Sequence, residues 1–250
     1  MSTAVMPARI AEGSPRVKAK ISGVVYFLVF VTGVFGFSVG GRYVVSNDAT
    51  ATAANILAHE SLFRLGLASS LIATALYIAV TALFYDLFKP ANRSVSLLAA
   101  FFSLVGCATG GVSFLLLLAP LVLLKGAQYL SVFNVEQLQA LALACLKLAG
   151  EANNIGLVFF GVYCLLIGYL IFKSNFLPRI LGAAMTFAGL GWLTGSFASF
   201  LSPPLIKVLF PYIMWPGMLG EASLTVWLLV KGVNVQRWKE QVSAARESFT

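Results

Sequence analysis

Apolar residues fall in six long blocks separated by short polar segments, and the clearest block organises the rest. From Ile155 to Phe172 no side chain is charged. With its flanks the run covers a hydrocarbon core of about 30 Å at about 1.5 Å per residue. Glu151, Asn153 and Asn154 precede it, and Lys173 and Arg179 close it. Similar runs cover Ile21–Val39, Leu62–Phe88, Leu97–Pro120, Leu181–Leu201 and Leu209–Val230. The pattern predicts an all-α fold, a polytopic membrane helical bundle of six transmembrane helices. Its transmembrane domain spans 21–233, between cytoplasmic tails at 1–20 and 234–250.

Two segments have a different period. TATAANILAHESLF predicts a short helix leading into span two. Asn134 with Gln137 three places on is a capping pattern, and Val135, Leu138, Leu141, Cys145 and Leu148 recur at helical spacing among polar neighbours. That predicts a short amphipathic helix on the membrane surface before span four. Pro120 is expected to end or bend span three, and Pro211 and Pro216 to interrupt span six. The first run is too long for a cleaved leader and reads as a retained signal anchor.

Composition agrees: 59% apolar against 10% charged residues, with a mean hydropathy of +0.90, lies outside soluble usage. A net charge of +8 would point to nucleic acid in a soluble domain. Here twelve of the 17 basic residues fall on one side of the six spans, which makes the charge a topology signal and implies no nucleic-acid partner. By the positive-inside rule the protein sits in the cell membrane, multi-pass, with both termini cytoplasmic. Cys107, Cys145 and Cys164 form neither a CxxC nor an even framework, so no disulfide or zinc site follows.

Gly36 and Gly40, Gly106 and Gly110, and Gly191 and Gly195 sit at four-residue spacing in spans one, three and five. Small residues at this spacing let helices approach closely, within one chain first and between copies or with another membrane protein as the alternative. Ser70, Thr74, Tyr77 and Thr81 form a polar stripe down span two that either packs against neighbouring helices or lines a cavity. Spans two, four and six each carry a carboxylate near the outer side: Glu60, Glu151 and Glu221. A three-hairpin repeat would gather them about one axis.

The candidate binding residues are His59, Glu60, Arg64, Glu151, Asn153, Asn154 and Glu221. Glu60 and Arg64, four apart, form a surface ion pair on the simplest reading. His59 is the single histidine, too few for a usual zinc site. Glu221 precedes Lys231 by ten residues, which puts it about 15 Å inside the boundary that Lys231 marks. An unpaired ionised carboxylate at that depth is costly, so Glu221 is expected to be protonated, or paired with a cation or with donors such as Asn153, Asn154 or Arg64. The alternative starts the helix at Pro216 and leaves Glu221 in its first turn, near the outer surface.

TAANILAHESLFRLG, YLSVFNVEQLQALAL, IGLVFFGVYCLLIGYLIFKSNFLPRILG and GEASLTVWLLVKGVN resemble the bacterial membrane-protein family catalogued as domain of unknown function 4386, over nearly all of Ala19–Asn234. The resemblance implies a multi-pass membrane protein and brings no activity, ligand or cofactor with it.

Three function classes follow from the residues. The first is a binding or transport protein for a small cation or lipophilic molecule, with a polar pocket open to the outside. The second is an intramembrane hydrolase in which His59 and the carboxylates hold a metal-bound water. The third is an accessory subunit of a membrane complex. The absence of HExxH, P-loop, GxSxG and CxxCH patterns weighs against familiar enzymes.

Overall fold

The computed structural model describes residues 14–247. Its helices are α1 (Pro15–Arg42), α2 (Ala49–Ala58), α3 (Glu60–Phe88), α4 (Arg93–Leu123), α5 (Val135–Lys173), α6 (Arg179–Leu201), α7 (Pro203–Val230) and α8 (Val235–Glu247). Six of them, α1, α3, α4, α5, α6 and α7, are long and apolar enough to cross a membrane. Large apolar side chains such as Leu115, Ile180, Phe187 and Val226 lie exposed on the outer faces, a surface suited to lipid rather than water. The protein is a multi-pass membrane bundle.

Each spanning helix packs on two others in the order α1, α3, α4, α5, α6, α7 and back to α1, so the six close a ring. Close approach is achieved through glycines. A methyl group on Gly36 would collide with Ser70 Oγ of α3, and one on Gly191 would come within 2.9 Å of Pro216 Cβ of α7. The predicted packing glycines are therefore used inside the chain. Their companions Gly40 and Gly110 have nothing within 4 Å. Along α1 and α4 the ring is tight at one glycine and open a turn later.

The half of the ring towards α8 is filled. Tyr26, Phe84, Phe88, Tyr163, Ile167 and Met185 belong to one buried cluster there, with aromatic edges against faces at Tyr26–Phe84 and Phe84–Phe88. α8 lies across this end: Trp238 Nε1 donates to the Leu87 carbonyl at 3.1 Å, and Gln241 Nε2 to the Lys173 carbonyl at 3.1 Å. Residues expected as a tail thus fold into a docked helix. At the other terminus the helix starts at Pro15, inside the expected tail; residues 1–13 lie outside those described.

The amphipathic segment before span four is helical, with the Asn134–Gln137 capping box formed, but it is continuous with the span. No proline lies between Ala149 and Ile155, and α5 runs unbroken for 39 residues, about 58 Å, which leaves its amphipathic first third as a projection beyond the apolar run Ile155–Phe172. It buries Ala142, Leu143, Leu146 and Ala149, while Leu141 and Leu148 are exposed. α2 rests against this projection, tied by Thr50 Oγ1 to Gln139 Oε1 at 2.9 Å. α7 is likewise unbroken from Pro203 to Val230, so it does not begin at Pro216.

Candidate functional site

Three cavities occupy the open half of the ring, towards α2. The innermost, about 250 Å³, lies among α1, α3, α4, α5, α6 and α7, with Tyr77, Phe114, Phe160, Trp192 and Glu221 in its wall. A second, about 510 Å³, lies among α1, α3, α4 and α5, bounded by Gly40, Ser70, Ser113, Lys147 and Gly150. A third, about 540 Å³, lies between α5 and the α6–α7 pair, bounded by Glu151, Asn154, Ser199 and Lys207. Asn153 borders all three. Gly40, Gly41, Gly110 and Gly150, glycines with nothing within 4 Å of a Cβ, border these cavities.

Glu221 is at the floor, 9% exposed. The unbroken α7 puts it nine residues from Val230, about 13 Å along the axis and near the middle of the span. Its Oε1 accepts from Trp192 Nε1 at 2.8 Å, and its Oε2 accepts from Tyr77 Oη at 3.4 Å and from Tyr26 Oη in a short hydrogen bond. Among the described residues no Lys, Arg or His pairs with it. Three neutral donors from α1, α3 and α6 thus hold one carboxylate of α7. The adjoining Tyr163 hydroxyl, also buried, has no hydrogen-bond partner.

The donors follow from local sequence. Tyr77 belongs to the polar stripe of α3, which divides by depth. Ser70 and Thr74 face the cavities, Tyr77 reaches Glu221, and Thr81 Oγ1 bonds Ser103 Oγ of α4 at 2.6 Å. Trp192 lies flat against α7 because residue 217 is a glycine; a Cβ there would sit 2.2 Å from the indole ring. The expected partners Asn153, Asn154 and Arg64 do not reach Glu221. Asn154 Nδ2 donates instead to Ser199 Oγ at 2.9 Å, tying α5 to α6, and approaches Glu151 Oε2 at 3.5 Å.

The seven candidate residues divide into two groups. Asn153, Asn154, Glu151 and Glu221 border two cavities whose walls share Asn153, Leu157 and Trp192. His59, Glu60 and Arg64 line none of these. Glu60 Oε1 sits 2.7 Å from both Arg64 Nε and Lys125 Nζ, an exposed bridge from α3 to the segment after α4. His59 joins α2 to α3, stacks on Tyr43 at 5.1 Å and points Nδ1 at the Asn55 carbonyl. It lies with neither Glu151 nor Glu221. Among the described residues no three His, Cys, Asp or Glu gather as metal ligands, so the arrangement lacks the ligand set that the hydrolase expectation requires. The three glutamates do not meet at an axis.

Sequence reading missed Tyr26 and Trp192. Both lie in apolar blocks where an aromatic residue is read as packing; the signal available was that a buried Tyr or Trp needs a partner for its polar atom, and Glu221 is the buried acceptor.

Residues 21–232 match the family described as "Domain of unknown function (DUF4386)". The chain belongs to that family. Its similarity to an uncharacterized protein of Archaeoglobus fulgidus is 22% identity over 155 residues, covering 62% of this chain and 76% of the relative. No solved structure matches. The DUF4386 match begins within α1 and ends just after α7, so it contains all of the ring but the first six residues of α1, and Glu221 with all its donors.

Proposed function

We propose that the protein binds or transports a small lipophilic cation, which enters the ring from the α2 end and settles against Glu221. The observation that carries this reading is the surroundings of that carboxylate. Tyr77, Phe114, Phe160 and Trp192 share a cavity of about 250 Å³ with it, and no cationic side chain among those described neutralises it. Aromatic faces attract a cation through their quadrupoles, most strongly where water is excluded, and a carboxylate supplies the countercharge. Tyr26, Tyr77 and Trp192 hold that carboxylate in place, so little ordering is left to occur on binding.

The two outer cavities and the polar border of Asn153, Asn154, Glu151 and Lys147 would serve as the way in. With both termini in the cytoplasm, as the basic residues imply, that way in opens outside the cell. Purified protein in lipid nanodiscs, titrated with benzyltrimethylammonium and with its neutral isostere neopentylbenzene, tests the proposal. The cation is expected to bind at least tenfold more tightly, and Glu221→Gln to remove the difference. Equal binding of the two compounds, or an unchanged preference in Glu221→Gln, would overturn it.

A further inference from the structure

At the opposite end of the bundle the chain leaves α7 through Lys231 and a left-handed Gly232, φ +67°, before α8 begins. Gly232 lies against α1. A Cβ built on it would be 3.2 Å from Arg16 Cγ and 3.8 Å from Lys20 Cγ. The turn therefore brings the end of α7 beside Arg16 and Lys20, two of the three basic residues that open α1. Arg237, in the first turn of α8, completes the group; its Nη1 donates to the Asn175 carbonyl at 3.3 Å.

Arg16, Lys231 and Arg237 border one recess of about 570 Å³, together with Asn175, Asn234 and Trp227. No Asp or Glu borders it, and among the described residues none of these three cations, nor Lys20, forms an ion pair. Like charges from α1, α7 and α8 held together without a carboxylate repel each other unless an anion joins them. The recess also adjoins a surface suited to lipid: Val17, Ile21 and Val230, each adjacent in sequence to one of these cations, are apolar and exposed, and Trp227, a residue type enriched at membrane interfaces, borders it.

We propose that this recess is a binding site for the phosphate headgroup of an anionic phospholipid, whose acyl chains run along the exposed apolar residues of α1 and α7. The cations supply the charge, and the Asn175 and Asn234 side chains can serve the glycerol or phosphate oxygens. Lipid is favoured over a soluble phosphate because the apolar residues beside the cations would otherwise contribute nothing. The site is independent of Glu221, so its success or failure leaves the cation proposal untouched.

The test is lipid exchange onto detergent-purified full-length protein, followed by native mass spectrometry, with phosphatidylglycerol, phosphatidylcholine and glycerol 3-phosphate as probes. Phosphatidylglycerol should be retained preferentially. Each cation near a membrane surface contributes about 1 kcal/mol, so Arg16→Gln/Lys231→Gln/Arg237→Gln should weaken retention on the order of a hundredfold. Arg16→Lys/Arg237→Lys, which keeps the charge, should retain most of it. Arg42→Gln/Lys125→Gln, at the other end, should behave as wild type and controls for general loss of charge. Equal retention of phosphatidylcholine, competition by glycerol 3-phosphate at matching concentration, or an unchanged triple variant that remains monodisperse would each overturn the proposal.

Discussion

Trp192 and Glu221 join α6 to α7 through one hydrogen bond, indole Nε1 to Oε1 at 2.8 Å, and that bond exists because Gly217 leaves room for the ring. Glu221 follows Gly217 by four residues and so occupies the same face of α7 one turn on. The pair fixes the side of the carboxylate that Tyr26 and Tyr77 do not reach.

Gly217→Ala should therefore move Trp192 and weaken its bond to Glu221 while leaving the helix intact. Overpacking of this kind costs about 1–3 kcal/mol. The expected outcome is a lower thermal midpoint and a shifted indole emission. The emission change should vanish when the comparison is repeated in a Trp192→Phe background. An emission change that persists there would have to come from Trp215, Trp227 or Trp238 and would break the link between Gly217 and Trp192.

The glycines separate packing from opening, and substitution should reveal which is which. A Cβ on Gly220 would lie 2.4 Å from the Ala184 carbonyl oxygen, a backbone atom that cannot swing away, whereas Gly110 has nothing within 4 Å. Gly220→Ala should destabilise the protein by about 1–3 kcal/mol. Gly110→Ala should be neutral or stabilising by up to about 1 kcal/mol, since alanine is the better helix former. Thermal unfolding in one detergent checks both, and equal midpoints for the two variants would contradict the assignment.

Much of the fold is legible in the sequence because the bilayer imposes a length on each apolar block, and a block such as Ile155–Phe172 has one way to satisfy its backbone. The continuity of α5 is less legible. A capping box at Asn134 marks where a helix starts, but no residue pattern says whether the amphipathic part stops before the apolar part. Pro211 and Pro216 mislead in the other direction. Each removes one backbone donor, and a helix with neighbours on two sides tolerates the loss. The site is legible where charge is unusual for its depth, at Glu221. It is illegible at Tyr26 and Trp192, whose polar atoms disappear into aromatic bulk until the helices are placed.

Topology follows from the basic residues and is directly measurable. Reporter fusions after Asn47, Ser131 and Pro203 should read as outside, and those after Ala91, Asn175 and the C-terminus as inside. The structure groups these points by end: Lys147 Nζ bonds Asn47 Oδ1 at 3.0 Å at the α2 end, and the Asn175 amide bonds Gln241 Oε1 at 3.2 Å at the α8 end. Fusions that split either of these pairs between compartments would contradict the fold itself, whereas a consistent inversion would contradict only the orientation.

A proton and an organic cation compete for one carboxylate, so binding at Glu221 should weaken as pH falls. The other titratable side chains near it are Tyr26 of α1, Tyr77 of α3, Cys107 of α4 and Tyr163 and Cys164 of α5, phenols and thiols that carry no charge in acid. None of them can neutralise or replace the carboxylate there, and a pH-dependent loss of affinity belongs to Glu221. Glu151, at the border of the outer cavity, provides the contrast. Titrated with benzyltrimethylammonium across a pH series, wild-type protein should lose affinity as the pH falls, by at most tenfold for each pH unit, and Glu221→Gln should show no such loss. Glu151→Gln should preserve the wild-type slope. A loss that persists in Glu221→Gln, or one removed by Glu151→Gln, would assign the titration to another group.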